Sequence, residues 1–300
     1  MTDTETRSAI EPDQLLSLRN ILVPTDFSEC SELALGHALE IAARYDAQVR
    51  LFHCVDPTPY NLGAPDATQA ACDAAWRDMR QLDSDLHRKG LAKKVEIKLH
   101  IEAGDLAAIL PQISRDLAVD LIVVGTHGRT GWQKLVLGSV AEIVVRQASC
   151  PVLTVGPSDK GSLPRQFGPK SILLANDRSN PSKQAESYAF SLARKWGSRL
   201  TALRVVEEQS GQILAEVSQV EWRGFEFKDV ILEKGLTNPQ LTSGIGTRSG
   251  LILRLADQAA ADLIVLPVKD AYRFADRIRS SYGYQVVCGA SCPVLTVPPE

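Results

Sequence analysis

Long apolar runs are absent from this chain of 300 residues. The longest is five residues, Leu106 to Leu110, where a membrane-spanning helix needs about twenty. An excess of one charge sign is also absent. Basic side chains number 33 and acidic ones 36, a formal net charge of −3, so no chain-wide basic footprint for nucleic acid or an anionic membrane exists. The first twenty residues are polar and lack the basic-then-apolar layout of a secretory signal. These absences predict a soluble, cytoplasmic protein with neither nucleic acid nor membrane as partner. Metal-ligand spacing is missing too. Cys30, Cys54, Cys72, Cys150, Cys288 and Cys292 follow no zinc or redox pattern, and the five histidines do not gather with carboxylates. The cysteines are expected to be reduced core residues, and no metal site built from protein side chains is expected. What is present is an ordinary globular composition, 44% hydrophobic and 23% charged, enough for one or two cores without disulfide staples.

The chain repeats itself. Ala148-Ser149-Cys150-Pro151-Val152-Leu153-Thr154-Val155 returns unchanged as Ala290-Ser291-Cys292-Pro293-Val294-Leu295-Thr296-Val297, and Asp120-Leu121-Ile122-Val123 returns at the same spacing as Asp262-Leu263-Ile264-Val265. Earlier, Ile21-Leu22-Val23-Pro24-Thr25-Asp26 pairs with Ile172-Leu173-Leu174-Ala175-Asn176-Asp177. Matches in order over most of each half identify a tandem duplication. The expected division is a polar leader at 1–18, a first domain at 19–157, a linker at 158–169 rich in Gly, Pro and Ser, and a second domain at 170–300.

Each half reads the same way. Ile21 to Pro24 is a strand, and Ala34, Ala38, Ile41, Ala42 and Tyr45 recur at helical spacing after a cap at Ser28. Val49 to Val55 follows as a strand and Ala70 to Lys89 as a helix. Val95 to Ile101 is a third strand, and Leu106 to Leu117 a helix despite Pro111. Leu121 to Val124, Ser139 to Gln147 and Val152 to Val155 then read strand, helix, strand. Alternating strands and helices predict an α/β fold with two tandem, doubly wound, five-stranded parallel sheets. The second half carries surplus residues before Asp262, including the Gly- and Ser-rich stretch 243–250. That stretch reads as a loop. Its glycines precede a helix expected near Leu251, but their spacing misses a dinucleotide fingerprint.

Ligands of open parallel sheets bind beyond the carboxyl ends of the strands, where strand order reverses. After Leu121 to Val124 come Gly125-Thr126-His127-Gly128, then nine residues, then Gly138-Ser139 opening a helix, with Arg129 and Lys134 between. Glycines let backbone N–H groups approach an anion, and a helix N-terminus favours negative charge. The competing interpretation is a plain strand-to-helix loop in which Ser139 and Glu142 form a capping box. After the first strand, Asp26 follows Pro24 and Thr25, placed either to hold a ribose or to cap the next helix. His53 and Cys54 end the second strand, where a histidine is more often a core residue than a catalyst.

Ile21-Leu22-Val23-Pro24-Thr25-Asp26-Phe27-Ser28, Leu51-Phe52-His53-Cys54-Val55-Asp56, Asp120 through Gly128, Gly138-Ser139 and Ser149 through Val155 together resemble a universal stress protein domain. The whole chain resembles a tandem member of that family. The resemblance implies sheets of order 3-2-1-4-5, as in adenine nucleotide α-hydrolase-like folds. It also implies a nucleotide site of the Gly-x2-Gly-x9-Gly-Ser/Thr type, matched by Gly125, Gly128, Gly138 and Ser139. It further implies that Pro24, Thr25 and Asp26 meet adenine or ribose, that the Cys54 backbone reaches the adenine edge, and that Thr126, His127, Arg129 and Val140 flank the phosphates. The cofactor so implied is ATP, or ADP or AMP, with Mg. Any metal contact from the protein would come from Asp26 through the Mg-nucleotide.

The second half departs from this pattern. Gly125, Gly128 and Gly138 are replaced by Pro267, Asp270 and Ser280, while Ser281 is kept. Proline removes an N–H donor and aspartate repels phosphate, so only the first half is expected to bind. The resulting expectation is a non-enzymatic, nucleotide-dependent regulatory module of the stress response. Its second half serves as an intramolecular pseudo-dimer partner through the edge strands Val152 to Val155 and Val294 to Val297, with a protein partner of unknown identity and a homodimer left open. A slow Mg-dependent ATP hydrolase, or an interaction protein with an empty site, are the alternatives.

Overall fold

Three consecutive apolar residues, Ile21, Leu22 and Val23, are wholly buried because their strand is covered on both faces. Ile21 and Val23 pack into one core and Leu22 into another, as period-2 geometry requires. The computed structural model describes residues 16–57, 65–127, 137–156, 168–177, 182–207, 213–223, 226–230, 247–268 and 281–298.

The first half runs β1 (Asn20–Pro24), α1 (Glu29–Tyr45), β2 (Gln48–Val55), α2 (Pro65–Arg88), β3 (Ile97–Ala103), α3 (Leu106–Asp116), β4 (Leu121–Gly125), α4 (Ser139–Gln147) and β5 (Val152–Val155). These strands lie in the order β3-β2-β1-β4-β5, all parallel, as expected. Ser28 caps α1 by accepting a hydrogen bond from the Ser31 N–H.

The second half comprises β6 (Ser171–Asp177), α5 (Lys183–Trp196), β7 (Arg199–Glu207), β8 (Ile213–Arg223), β9 (Glu226–Val230), α6 (Arg248–Gln258), β10 (Leu263–Pro267), α7 (Tyr282–Gly289) and β11 (Val294–Val297). Two expectations are corrected here. First, the halves do not form two separate five-stranded sheets. β5 pairs antiparallel with β11, and all strands join one sheet of eleven, β3-β2-β1-β4-β5-β11-β10-β6-β7-β8-β9. Second, the second half is not a wholly parallel copy of the first. β7, β8 and β9 pair antiparallel. The cause is connection length. The link from β2 to β3 carries the helix α2, the kind of crossover that parallel neighbours require, whereas only residues 208–212 join β7 to β8, enough for a hairpin alone.

Helices α1, α2 and α5 cover one face of the sheet and α3, α4, α6 and α7 the other, and each core contains side chains from both halves. No helix among the described residues is long and apolar enough to cross a membrane. The six cysteines are free thiols. Burial first, then nearby carboxylates, pushes Cys150 and Cys292 up to about 12, which keeps both as thiols at neutral pH.

The repeated sequences have structural jobs. Asp120 Oδ2 accepts the backbone N–H groups of Arg19 and Asn20 at 2.7 and 2.9 Å. Asp262 Oδ2 does the same for Lys170 and Ser171 at 2.8 and 3.1 Å. Each aspartate latches the start of its domain's first strand. In the repeated octapeptide, the Thr154 hydroxyl donates to the Val294 carbonyl at 3.1 Å and the Thr296 hydroxyl to the Val152 carbonyl at 3.2 Å. Leu153 faces Leu295 at the centre of the pairing. A self-complementary contact of this kind needs the same residues on both strands, and the sequence supplies them.

Candidate functional site

The connection from β3 through α3 to β4 crosses to the far side of β1, so strand order reverses between β1 and β4. The candidate site is built from the residues just beyond the carboxyl ends of β1, β2 and β4 and from the start of α4.

Pro24 ends β1 opposite Phe52 of β2. Thr25 is buried and fully engaged. Its N–H donates to the Phe52 carbonyl at 2.8 Å, and its hydroxyl lies 3.0 Å from the Phe27 N–H and 3.1 Å from the Ser31 hydroxyl. The Thr25 side chain therefore braces the turn, leaving backbone as its route to a ligand. Asp26 Oδ1 accepts from the Ser28 N–H at 3.1 Å and the Ser28 hydroxyl at 2.5 Å. Burial raises the Asp26 carboxyl, but these bonds from Ser28, with help from Ser31, outweigh it and hold the group below its ordinary value. The helix cap is Ser28 and not Asp26; this oxygen of Asp26 braces the capping residue. Phe27 adopts the left-handed conformation, with φ of 62°, and its ring lies 4.8 Å from that of His53. His53 Nδ1 is 2.7 Å from the Thr25 carbonyl, so His53 supports the turn rather than acting as an isolated base.

Cys54 lies in β2 beside Glu102 of β3. Its thiol donates to the Gly104 carbonyl at 3.3 Å. Burial, followed by Asp56, Asp105 and Glu102, pushes it up to about 11. Any contact from Cys54 to a ligand is thus a backbone matter.

Gly125 ends β4 against the first turn of α1. A Cβ there would lie 2.7 Å from the Cys30 carbonyl oxygen, so the glycine is required by packing, whatever it offers an anion. Thr126 follows, buried, with its N–H on the Val155 carbonyl at 2.9 Å and its hydroxyl 2.9 Å from His127 Nδ1. Gly128, Arg129 and Lys134 lie outside the described residues, as do Asp270, Ser280 and residues 243–246.

The chain returns at Leu137. Gly138 is the N-cap of α4 in extended conformation and makes no side-chain cap bond; its N–H donates to the Thr126 carbonyl at 2.8 Å. Ser139 is therefore the first helical residue, and the capping box with Glu142 is not formed. An α-helix leaves its first N–H groups without intrahelical partners. Here those of Ser139 and Val140 stand at an uncapped helix start beside an exposed Ser139 side chain. The second half differs at the same place. Ser281 caps α7, accepting from the Tyr284 N–H at 3.2 Å, and Pro267 replaces Gly125 without an N–H to offer. No group of three or more potential metal ligands occurs among the described residues.

Several supports escaped the sequence. Ser31 as partner of Thr25, the left-handed Phe27, and the pressure of Cys30 on Gly125 all depend on where α1 lands on the sheet, and residue type alone carries no signal for that.

Comparison with known proteins gives consistent matches. Residues 17–156 and 169–298 each match the universal stress protein family. A universal stress protein of Methanocaldococcus jannaschii is 36% identical over 146 residues, 46% of this chain and 81% of that protein. The crystal structure of a universal stress protein from Archaeoglobus fulgidus covers 93% of this chain and 96% of its own, at 18% identity and a TM-score of 0.66. A functionally unknown protein from Pseudomonas aeruginosa covers 94% of this chain and 93% of its own, at 16% identity and a TM-score of 0.57. The last two are likenesses of fold.

Proposed function

The chain belongs to the universal stress protein family, with one family domain in each half, and from that premise we propose that its first half binds ATP or another adenine nucleotide. The protein then acts as a nucleotide-dependent binding module in the cytoplasm and not as an enzyme, its second half serving as a non-binding partner. The observation that carries this reading is the uncapped start of α4 beside the β4 carboxyl end, set against the serine-capped start of α7. A side-chain acceptor closes one helix start and is missing from the other.

The N–H groups of Ser139 and Val140 and the Ser139 hydroxyl would hold phosphate oxygens, with Gly128 and Arg129 contributing as the family pattern implies. The Pro24–Asp26 turn and the Cys54 backbone would face the ribose and base. Bound Mg would supply charge neutralisation at the phosphates. Asp26, the carboxylate of the site, is held ionised by Ser28 and is a poor general base at neutral pH, which supports binding over hydrolysis.

Nucleotide released by acid from freshly purified protein and resolved by chromatography tests this. The expected result is about one adenine nucleotide per chain, lost in Gly128→Asp, which copies Asp270 of the second half. A like charge against the phosphates costs several kcal/mol, a weakening on the order of a hundredfold or more. Two nucleotides per chain would make the second half a site as well. None, with no Mg-ATP-dependent thermal shift, would overturn the reading.

A further inference from the structure

The start of α4 is held from two sides, and one of them belongs to the other half of the molecule. Gly138 donates its N–H to the Thr126 carbonyl within the first half. The preceding N–H, that of Leu137, points across to Tyr284 of α7 and donates to its hydroxyl at 3.4 Å. Leu137 and Tyr284 are each 4% exposed, so water is a poor substitute for that hydroxyl, and a buried N–H without a partner is costly. Tyr284 is itself fixed. Its backbone N–H is bound by Ser281, and its ring lies in the core that α4 and α7 share. The antiparallel pairing of β5 with β11 brings these two helices together on one face of the sheet.

Unlike the paired threonines, this contact is made by a residue that the repeat does not keep. The position in the first half that corresponds to Tyr284 is Glu142. The second half therefore gives the first something that a simple twofold copy would not.

We infer that Tyr284 is a positioning residue for the nucleotide site of the first half, fixing the Leu137–Gly138 junction and through it the α4 donors. The inference rests on the nucleotide reading above and deepens it. Donor groups displaced by a fraction of an ångström lose much of their effect on a bound ligand. Removing the hydroxyl frees Leu137 and lets the first turn of α4 shift. The retained second domain thereby has a role at the site even though it holds no nucleotide.

Calorimetric titration of the full chain with Mg-ATP tests this, using wild type, Tyr284→Phe and Tyr188→Phe. Tyr188 is a buried tyrosine of α5 on the opposite face of the sheet and controls for general destabilisation. Losing one net hydrogen bond predicts a dissociation constant raised about two- to tenfold in Tyr284→Phe, with stoichiometry unchanged and Tyr188→Phe like wild type. Amide exchange without nucleotide should show the Leu137 N–H less protected in Tyr284→Phe alone. Equal affinity in wild type and Tyr284→Phe overturns the inference, as does equal weakening in both variants or unchanged Leu137 exchange. Wild type that binds no nucleotide overturns the nucleotide reading, and this inference with it.

Discussion

The two halves agree where their first strands start and where they meet, and disagree at the carboxyl edge. Asp120 and Asp262 latch corresponding strands through the same atom, and Thr154 and Thr296 exchange equivalent bonds across the sheet. At the carboxyl edge, by contrast, Gly125 faces Pro267, and an uncapped Gly138 faces a helix closed by Ser281. The links from strand to cap also differ in length. Four residues lead from Pro24 to the cap Ser28, but seven lead from Ala175 to the cap Ser182. The shorter link places the Cys30 backbone where it excludes any side chain at 125. The longer one coexists with a proline at 267. The copies share their latches and their meeting strands and differ at the carboxyl edge.

The sharpest way to break this comparison is at the glycine. Gly125→Ala forces a Cβ onto backbone that cannot swing aside, and is expected to cost about 2–3 kcal/mol in denaturant unfolding. Pro267→Ala in the second half should cost under about 1 kcal/mol. Equal losses would mean that α1 and α5 press on the sheet alike.

Next come the latches. Asp120→Ala and Asp262→Ala each strand two backbone N–H groups and should each cost about 1–2 kcal/mol, the two values agreeing within about 0.5. A large inequality, read by the same unfolding titration, would show that the copies differ in their frames as well as their sites.

The smallest effect concerns pH. Asp26 has a folded pKa below its unfolded value. Its contribution to stability is present above the unfolded pKa of about 3.9 and is lost as pH falls through the folded value. Asp26→Asn should therefore be less stable than wild type above about pH 4, with the gap closing under stronger acid. The residue is partly exposed, so screening keeps the effect small. A gap that widens as pH falls would contradict the bonding from Ser28.

Much of the frame was legible without coordinates. Strands β1, β4 and β5 and helix α4 fall where β-branched runs and helical periodicity put them, since burial on both sheet faces leaves a continuous apolar run. The repeat exposed the duplication, and the octapeptide marked the strands that meet. The stretch after β7 was not legible, because a helix crossover and a hairpin differ chiefly in the length of link available.

The candidate site divides the same way. Glycines 125 and 138 and Asp26 stand out as residue types at a sheet edge. Their local duties do not: Gly125 answers to Cys30, Asp26 to Ser28, and Leu137 to Tyr284, a residue 147 positions away.

By itself, then, the sequence determined the α/β alternation, the duplication and the loss of the glycine pattern in the second copy, because periodicity and residue type are local properties. Only the tertiary structure decided that the copies fuse into one sheet, that β7, β8 and β9 pair antiparallel, and that a tyrosine of one half reaches the start of α4 in the other. Those outcomes depend on which distant backbone groups find partners once two faces of a sheet are buried together, and no stretch of chain records that alone.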